Sequence, residues 1–373
     1  MPRICQPTAR VTIAVLALAA AGFCMTGCES SKPNDPGSAI AAGLDLDVAK
    51  LGYRQSWIGV APTKGGPKKV SFAGDEIAIV DSIGDLSVLS EASGAFRWSA
   101  DNPDPNPAVR DVRRIGNVIG LCNESEIVTF AADTGEMLSR QKLLRIASTA
   151  GVGNGRQLFF GTAGGELYAH DAGLGMKLWT YGVGGPVQTN PVLALDRFVC
   201  VVSQSGKIFI IDAGSGTSAG VVSISGPSVP SPVAGEQSVF VASDDQSLYA
   251  VTVAPNVGLK WRLRTEVPLR RQPMYAAGKV FLVIPGKGLH AVNAKTGEIV
   301  WRSPSVDADP IALRGSTLLT RSGENLLAVE AETGREIGSV AVPGLVTTTT
   351  STGKDGAILL GLKDGRIVRL APK

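Results

Sequence analysis

From about residue 55 to the C-terminus, hydrophobic positions come in short runs. Val239-Phe240-Val241, Val280-Phe281-Leu282-Val283 and Ile358-Leu359-Leu360 are typical. Turn residues bound them, as in Thr162-Ala163-Gly164-Gly165, Ser203-Gln204-Ser205-Gly206 and Lys363-Asp364-Gly365. Apolar runs this short, closed by Gly, Asp, Asn and Ser, predict strands joined in hairpins. No stretch of this part sustains the 3.6-residue period of an amphipathic helix.

The strands recur in register. The apolar residue opening the second strand of a hairpin falls at Leu86, Ile127, Leu167, Ile208, Leu248, Leu289, Leu326 and Ile367. The steps are 40 or 41 residues, except one of 37 before Leu326. A Gly turn follows each strand, at Gly94, Gly135, Gly175, Gly216, Gly258, Gly297 and Gly334, where a positive φ is expected. Trp98, Trp179, Trp261 and Trp301 come three or four residues later. Pro191, Pro232, Pro273 and Pro310 open another strand in the same phase. Four strands per unit of about 41 residues, repeated eight times, predict an all-β fold, an eight-bladed β-propeller of four-stranded blades. The eighth repeat stops after its third strand, at Lys373, whereas Tyr53-Arg54-Gln55-Ser56-Trp57 precedes the first. Residues 51–58 are therefore expected to complete the eighth blade. Pairing the N- and C-terminal strands closes the ring and removes an open sheet edge.

Residues 1–10 carry Arg3 and Arg10 and no acid, and residues 11–23 are an apolar run of 13. A spanning helix needs about 20 such residues, so the segment reads as a signal-peptide core. Met25-Thr26-Gly27-Cys28 then resembles the lipobox of bacterial lipoproteins, with Met in place of the usual Leu. That resemblance implies cleavage before Cys28 and lipidation of Cys28, and Glu29, not Asp, leans towards the outer membrane. The expected organisation is a lipoprotein signal peptide over 1–27, a Pro/Gly/Ser-rich flexible tether over 28–50, and one propeller domain over 51–373.

Composition changes little. With 18% charged and 44% apolar residues the chain is ordinary for a globular protein. Loss of residues 1–27 removes two arginines and no acid, leaving 34 basic and 33 acidic residues. Charge thus selects no nucleic acid. Cys122 and Cys200 lie in apolar runs in equivalent strands of non-adjacent repeats, beyond the Cα separation of about 4.4–6.8 Å a disulfide needs. Two free, buried thiols are expected. His170 and His290 occupy different strand positions and read as structural. No metal site and no catalytic residue is expected. Asp81, Asp85, Asp244, Asp245 and Asp364 sit in turns and read as turn chemistry. The glycines of 161–165 and 182–185 lack a following Lys-Ser/Thr and read as turns, not phosphate loops.

The unit Leu289-His290-Ala291-Val292-Asn293-Ala294-Lys295-Thr296-Gly297-Glu298-Ile299-Val300-Trp301 resembles the PQQ-like (pyrroloquinoline-quinone-type) propeller repeat. Leu167–Ala172 and Ile208–Ala213 match its first half, and the Trp-Asp pair of the WD40 class is missing. Quinoprotein dehydrogenases of this repeat type are longer and carry an adjacent Cys-Cys pair, which this chain lacks. Length, lipobox, tether, repeat type and blade count together resemble the BamB family of envelope lipoproteins. The resemblance implies a non-enzymatic scaffold without cofactor, lipid-anchored and facing the periplasm, a monomer within a complex. Its implied partners are an outer-membrane β-barrel assembly protein or nascent outer-membrane proteins. In that family a Leu/Arg-bearing inter-blade loop meets the partner, and Leu269, Arg270 and Arg271, pinned between Pro268 and Pro273, are the corresponding candidates. Arg110-Asp111-Val112-Arg113-Arg114 and Arg369 are further candidates. A ligand-binding central channel and a general envelope interaction propeller remain as alternatives.

Overall fold

The computed structural model describes residues 46–373 apart from 105–107, 156 and 352–355. Within them, thirty-two strands form eight four-stranded antiparallel sheets. Blades 1 to 7 run over residues 67–100, 109–142, 152–182, 192–223, 233–264, 274–303 and 309–341. Pro191, Pro232 and Pro273 immediately precede innermost strands and Pro310 lies within one, so the prolines keep the predicted phase. The second and third strands are the apolar runs of the sequence. Glu76–Asp81 and Ser238–Ser243 are buried along their whole length, because neighbouring blades cover both faces. The hydrophobic core is consequently a ring of blade-to-blade interfaces. Val80 and Val88 of blade 1 pack with Leu121 and Val128 of blade 2, and the same arrangement recurs around the ring.

Ring closure follows the prediction. Tyr53–Val60 pairs antiparallel with Arg366–Pro372 and becomes the outermost strand of blade 8, with Trp57 opposite Arg369. Arg369 Nε donates to Glu91 of blade 1 at 2.7 Å, so an ion pair crosses the same junction.

All five tryptophans play one part. Each lies on an outermost strand beside a bulge and reaches over the next blade. Its Nε1 donates to a carbonyl there: Trp57 to Glu91, Trp98 to Ala132, Trp179 to Ala213, Trp261 to Ala294 and Trp301 to Ala331, at 2.8–3.1 Å. The ring lies on the turn glycine of that blade. A Cβ on Gly135 or Gly334 would stand 2.6 or 2.5 Å from the indole, and both residues have φ near 75°. Only glycine meets both demands.

Blades 2, 4 and 7 place Ser139, Gly220 and Gly338 where the others have Trp. At Gly220 the space is taken by Val257 of a longer turn, and Gly258 in that turn does not have the expected positive φ. At Gly338 it is taken by a 3₁₀ turn, Val48–Leu51, whose Lys50 carbonyl would lie 2.6 Å from a Cβ at Gly338. Val48 and Leu51 are buried with Leu345, Leu360 and Leu370. Val48–Leu51, at the end of the segment expected as a tether over 28–50, thus packs as part of the propeller. A four-residue segment of two apolar positions is too short to show in a hydrophobic pattern. Cys28 and the expected signal peptide lie outside the described residues.

Cys122 and Cys200 sit in the second strands of blades 2 and 4 as free, buried thiols. Burial pushes the Cys122 thiol up to about 12, and Cys200 in the same direction.

Candidate functional site

The connection from blade 5 to blade 6 holds the three residues singled out in the sequence, and the structure separates them. Leu269 is 1% exposed, packed among Phe240, Leu248 and Leu282 between the two blades. Its backbone N–H is bound to the Ser243 carbonyl at 3.1 Å. It anchors the loop and cannot meet a partner, which corrects its assignment as a contact residue. In a loop lying over the ring, a lone Leu is drawn inward by the apolar area it buries. Val267 and Pro268 are half-buried.

The two arginines face outward and are paired. Arg270 Nε donates to Asp244 at 3.0 Å. Arg271 reaches the next connection, where Nε donates to Asp309 at 2.5 Å and a second nitrogen to Asp307. Burial opposes the charge on Arg271, but the carboxylates of Asp309 and Asp307 outweigh it and hold the guanidinium above its ordinary value. Both arginines line a cavity of about 660 Å³ with Gln272, Tyr275, Asp309 and Thr350. Its lining comes from innermost strands of blades 5 to 8, and so it opens on the centre of the ring. The arrangement is a charged, hydrogen-bonding mouth with both signs present. Asp307 and Asp309, spaced one residue apart before Pro310, were missed in the sequence, although Asp-Ala-Asp-Pro in an inter-blade position was a visible signal.

The other basic candidates are structural. Arg110 donates to the Ala147 carbonyl and to Glu124, both at 3.1 Å, and Arg113 Nε to Asp111 at 2.7 Å. Arg114 pairs with the nearly buried Glu76. Arg369 is committed to the closing junction. An exposed Leu-Arg-Ile does exist elsewhere, on the connection from blade 2 to blade 3. Leu144 and Ile146 are 65% and 49% exposed around Arg145, while the neighbouring Leu143 is buried. A hydrophobic doublet does not reveal which member turns inward.

The histidines belong to the framework. His170 Nε2 bonds Gln141 Oε1 at 3.0 Å, and His290 Nδ1 bonds the Gly288 carbonyl at 3.0 Å. Burial lowers the pKa of both. Asp81 accepts from the backbone of Lys64, Ile83 and Asp85, which is turn chemistry. Among the described residues no group of three His, Cys, Asp or Glu side chains could hold a metal ion.

Eight closed four-stranded blades, indoles on turn glycines and an asymmetric charged mouth define the class: a PQQ-like β-propeller. The family model of the outer membrane protein assembly factor BamB matches residues 123–219, 204–353 and 285–372, and the chain belongs to that family. BamB of Moranella endobia (strain PCIT) is 24% identical over 217 residues, covering 49% of this chain and 56% of that relative. The match thus spans little more than half the relative's length. Among solved structures, BamB from Moraxella catarrhalis superposes with a TM-score of 0.69 at 15% identity, over 85% of this chain and 97% of that one. The computationally designed Ika8 protein gives 0.69 at 13% identity over 86% and 100%. The C-terminal WD40 domain of Sif2 gives 0.66 at 11% over 86% and 98%. Identities this low carry the fold alone.

Proposed function

We propose that this protein is a non-enzymatic, lipid-anchored scaffold of the bacterial envelope that serves assembly of outer-membrane β-barrel proteins. Membership of the BamB family over residues 123–372 carries the reading. Cys28 is the anchor and the outer membrane its site. The docking surface is the channel mouth, where Arg270, Arg271, Asp307 and Asp309 present both charges on two consecutive connections. Such a surface suits a partner with complementary polar and charged groups, and charges at a rim set register and association rate. Leu144 and Ile146 offer an apolar contact on a second connection. The partner is a large barrel-assembly protein with periplasmic domains, or a nascent outer-membrane protein awaiting insertion.

The test is in vivo crosslinking and recovery of tagged protein from solubilised envelopes, with Cys28→Ala and Arg271→Glu as comparisons. Recovery of a barrel protein with periplasmic domains, reduced by Arg271→Glu and restored by pairing it with Asp309→Arg, is the expected result. Reproducible recovery of other envelope proteins without it would overturn the assembly role.

A further inference from the structure

In every blade the outermost strand begins opposite the end of the third strand. Tyr53 lies opposite Pro372 in blade 8, Phe96 opposite Leu89 in blade 1, Met137 opposite Phe130 in blade 2 and Met176 opposite Asp171 in blade 3. The blades follow one another in the same sense around the ring, so these strand starts and the turns before them share one face. The chain enters the propeller on that face, through Val48–Leu51 and Tyr53. The inter-blade connections leave the other ends of the outermost strands. Arg270, Arg271, Asp307 and Asp309 therefore lie on the opposite face.

The turn face is apolar along one arc. Phe96, Met137, Leu138, Leu174 and Met176 are between 49% and 62% exposed and stand on three consecutive blades. The arc is continuous because each blade overlaps the next. Trp98, two residues after Phe96, lies on Gly135 of blade 2. Gln141 of blade 2 covers Gly175, between Leu174 and Met176, and donates to the Ala172 carbonyl at 2.9 Å, taking the indole's part at that junction. Blade 4 exposes Ser215 and Thr217 at these positions, blade 6 Thr296 and Glu298, and blade 7 Arg335 and Glu336. Single exposed apolar residues such as Leu259 are ordinary, whereas five on adjoining blades mark a contact surface. Arg97 and Lys177, beside Phe96 and Met176, offset Asp133 and Glu136 in and after the blade 2 turn. Apolar area, not net charge, is what the arc offers.

We infer that this arc docks on the phospholipid leaflet that holds the lipid anchor, its side chains entering the boundary between headgroups and acyl chains. The docking presupposes Cys28 as that anchor. Eighteen residues separate Cys28 from Leu46, about 60 Å at full extension. The anchor thus keeps the propeller within reach of the leaflet without fixing its orientation. A tethered surface acts at an effective concentration of roughly millimolar, so an arc too small to hold a free protein on a membrane is enough to orient a tethered one. Side chains of this kind enter an interface by about 5–10 Å, and Arg97 and Lys177 can lay their stems along it with the charges in water. The docked ring turns its channel mouth away from the membrane, open to a partner.

The test replaces the acyl anchor by a defined tether. The mature chain with Cys28→Ala and an N-terminal histidine tag is held on phosphatidylethanolamine–phosphatidylglycerol vesicles by nickel-chelating lipids. An environment-sensitive fluorophore is attached at Leu174→Cys or, on the opposite face, at Gln204→Cys; the native thiols Cys122 and Cys200 are buried. Nitroxide-bearing lipids should quench the first at least about threefold more than the second. Phe96→Glu with Met137→Glu, both at exposed positions, should abolish the difference without changing the melting temperature, while added salt should leave it in place. Equal quenching at the two positions, or a difference that survives the glutamates, would overturn the docking. So would a dimer in solution that the glutamates dissolve, since a second copy would then cover the arc. Mass spectrometry of the Cys28 peptide from envelopes tests the anchor by itself. An unmodified Cys28 overturns anchor and docking together, whereas equal quenching overturns the docking alone.

Discussion

The indole of Trp301 is nearly buried, rests on Gly334 and donates its one N–H to the Ala331 carbonyl. Truncation therefore removes packing and a hydrogen bond together. Trp301→Ala should destabilise by about 3–5 kcal/mol in urea unfolding, the range for large aromatic truncations. Gly334→Ala forces a Cβ into the ring at φ 77°, and that backbone conformation alone costs about 1–3 kcal/mol for a non-glycine residue. His170 and His290 make a second residue-scale prediction. Burial depresses both pKa values in the folded state. The unfolded chain takes up protons below about pH 6.5 while the folded one does not. Their contribution to stability is complete above that pH and declines as the pH falls through it. Thermal melts should show a drop between pH 7.5 and 5 that is smaller in His170→Gln, where the buried Nδ1 without a hydrogen-bond partner is gone. At this scale the sequence was readable where a residue repeated in phase. Leu269 was misjudged because a single apolar residue between two prolines gives no sign of which way it faces.

Elements decide how the ring is held. Each blade's face is covered by the next, and the last junction depends on two segments that precede blade 1. Val48–Leu51 fills the space left at Gly338, and Tyr53–Val60 completes blade 8. Val48→Asp with Leu51→Asp buries charge without a partner in that cluster, which is strongly unfavourable. The melting temperature should fall by several degrees or more, whereas Lys50→Gln, which changes only an exposed charge paired with Asp47, should leave it nearly unchanged. The Arg369–Glu91 pair is largely shielded from solvent on both sides. A double-mutant cycle on it should give a coupling of about 1–2 kcal/mol. The pattern predicted the closing strand from an orphaned Trp, but the 3₁₀ turn needed the third dimension. Its two apolar residues acquire meaning only beside a glycine nearly three hundred positions later.

For the whole molecule, closure turns a row of repeats into one cooperative body. Linear arrays unfold by nearest-neighbour steps, while a ring has no end from which to begin. The intact protein should unfold in one transition, coincident by tryptophan fluorescence and far-UV circular dichroism. Removing residues through Val60 exposes the Arg366–Pro372 edge, and size-exclusion chromatography with light scattering should then detect association through it. By itself the sequence determined the strand count, the blade period, the closing strand, the buried thiols and the shared role of five tryptophans. These follow from local chemistry repeated at a fixed spacing: turn glycines, apolar runs and a bulky ring in one phase. Only the tertiary structure decided which charges meet at the channel mouth, that Leu269 turns inward, and that Gln141 takes the indole's place at one junction. Those depend on distances between residues far apart along the chain, and a one-dimensional pattern carries no such distances.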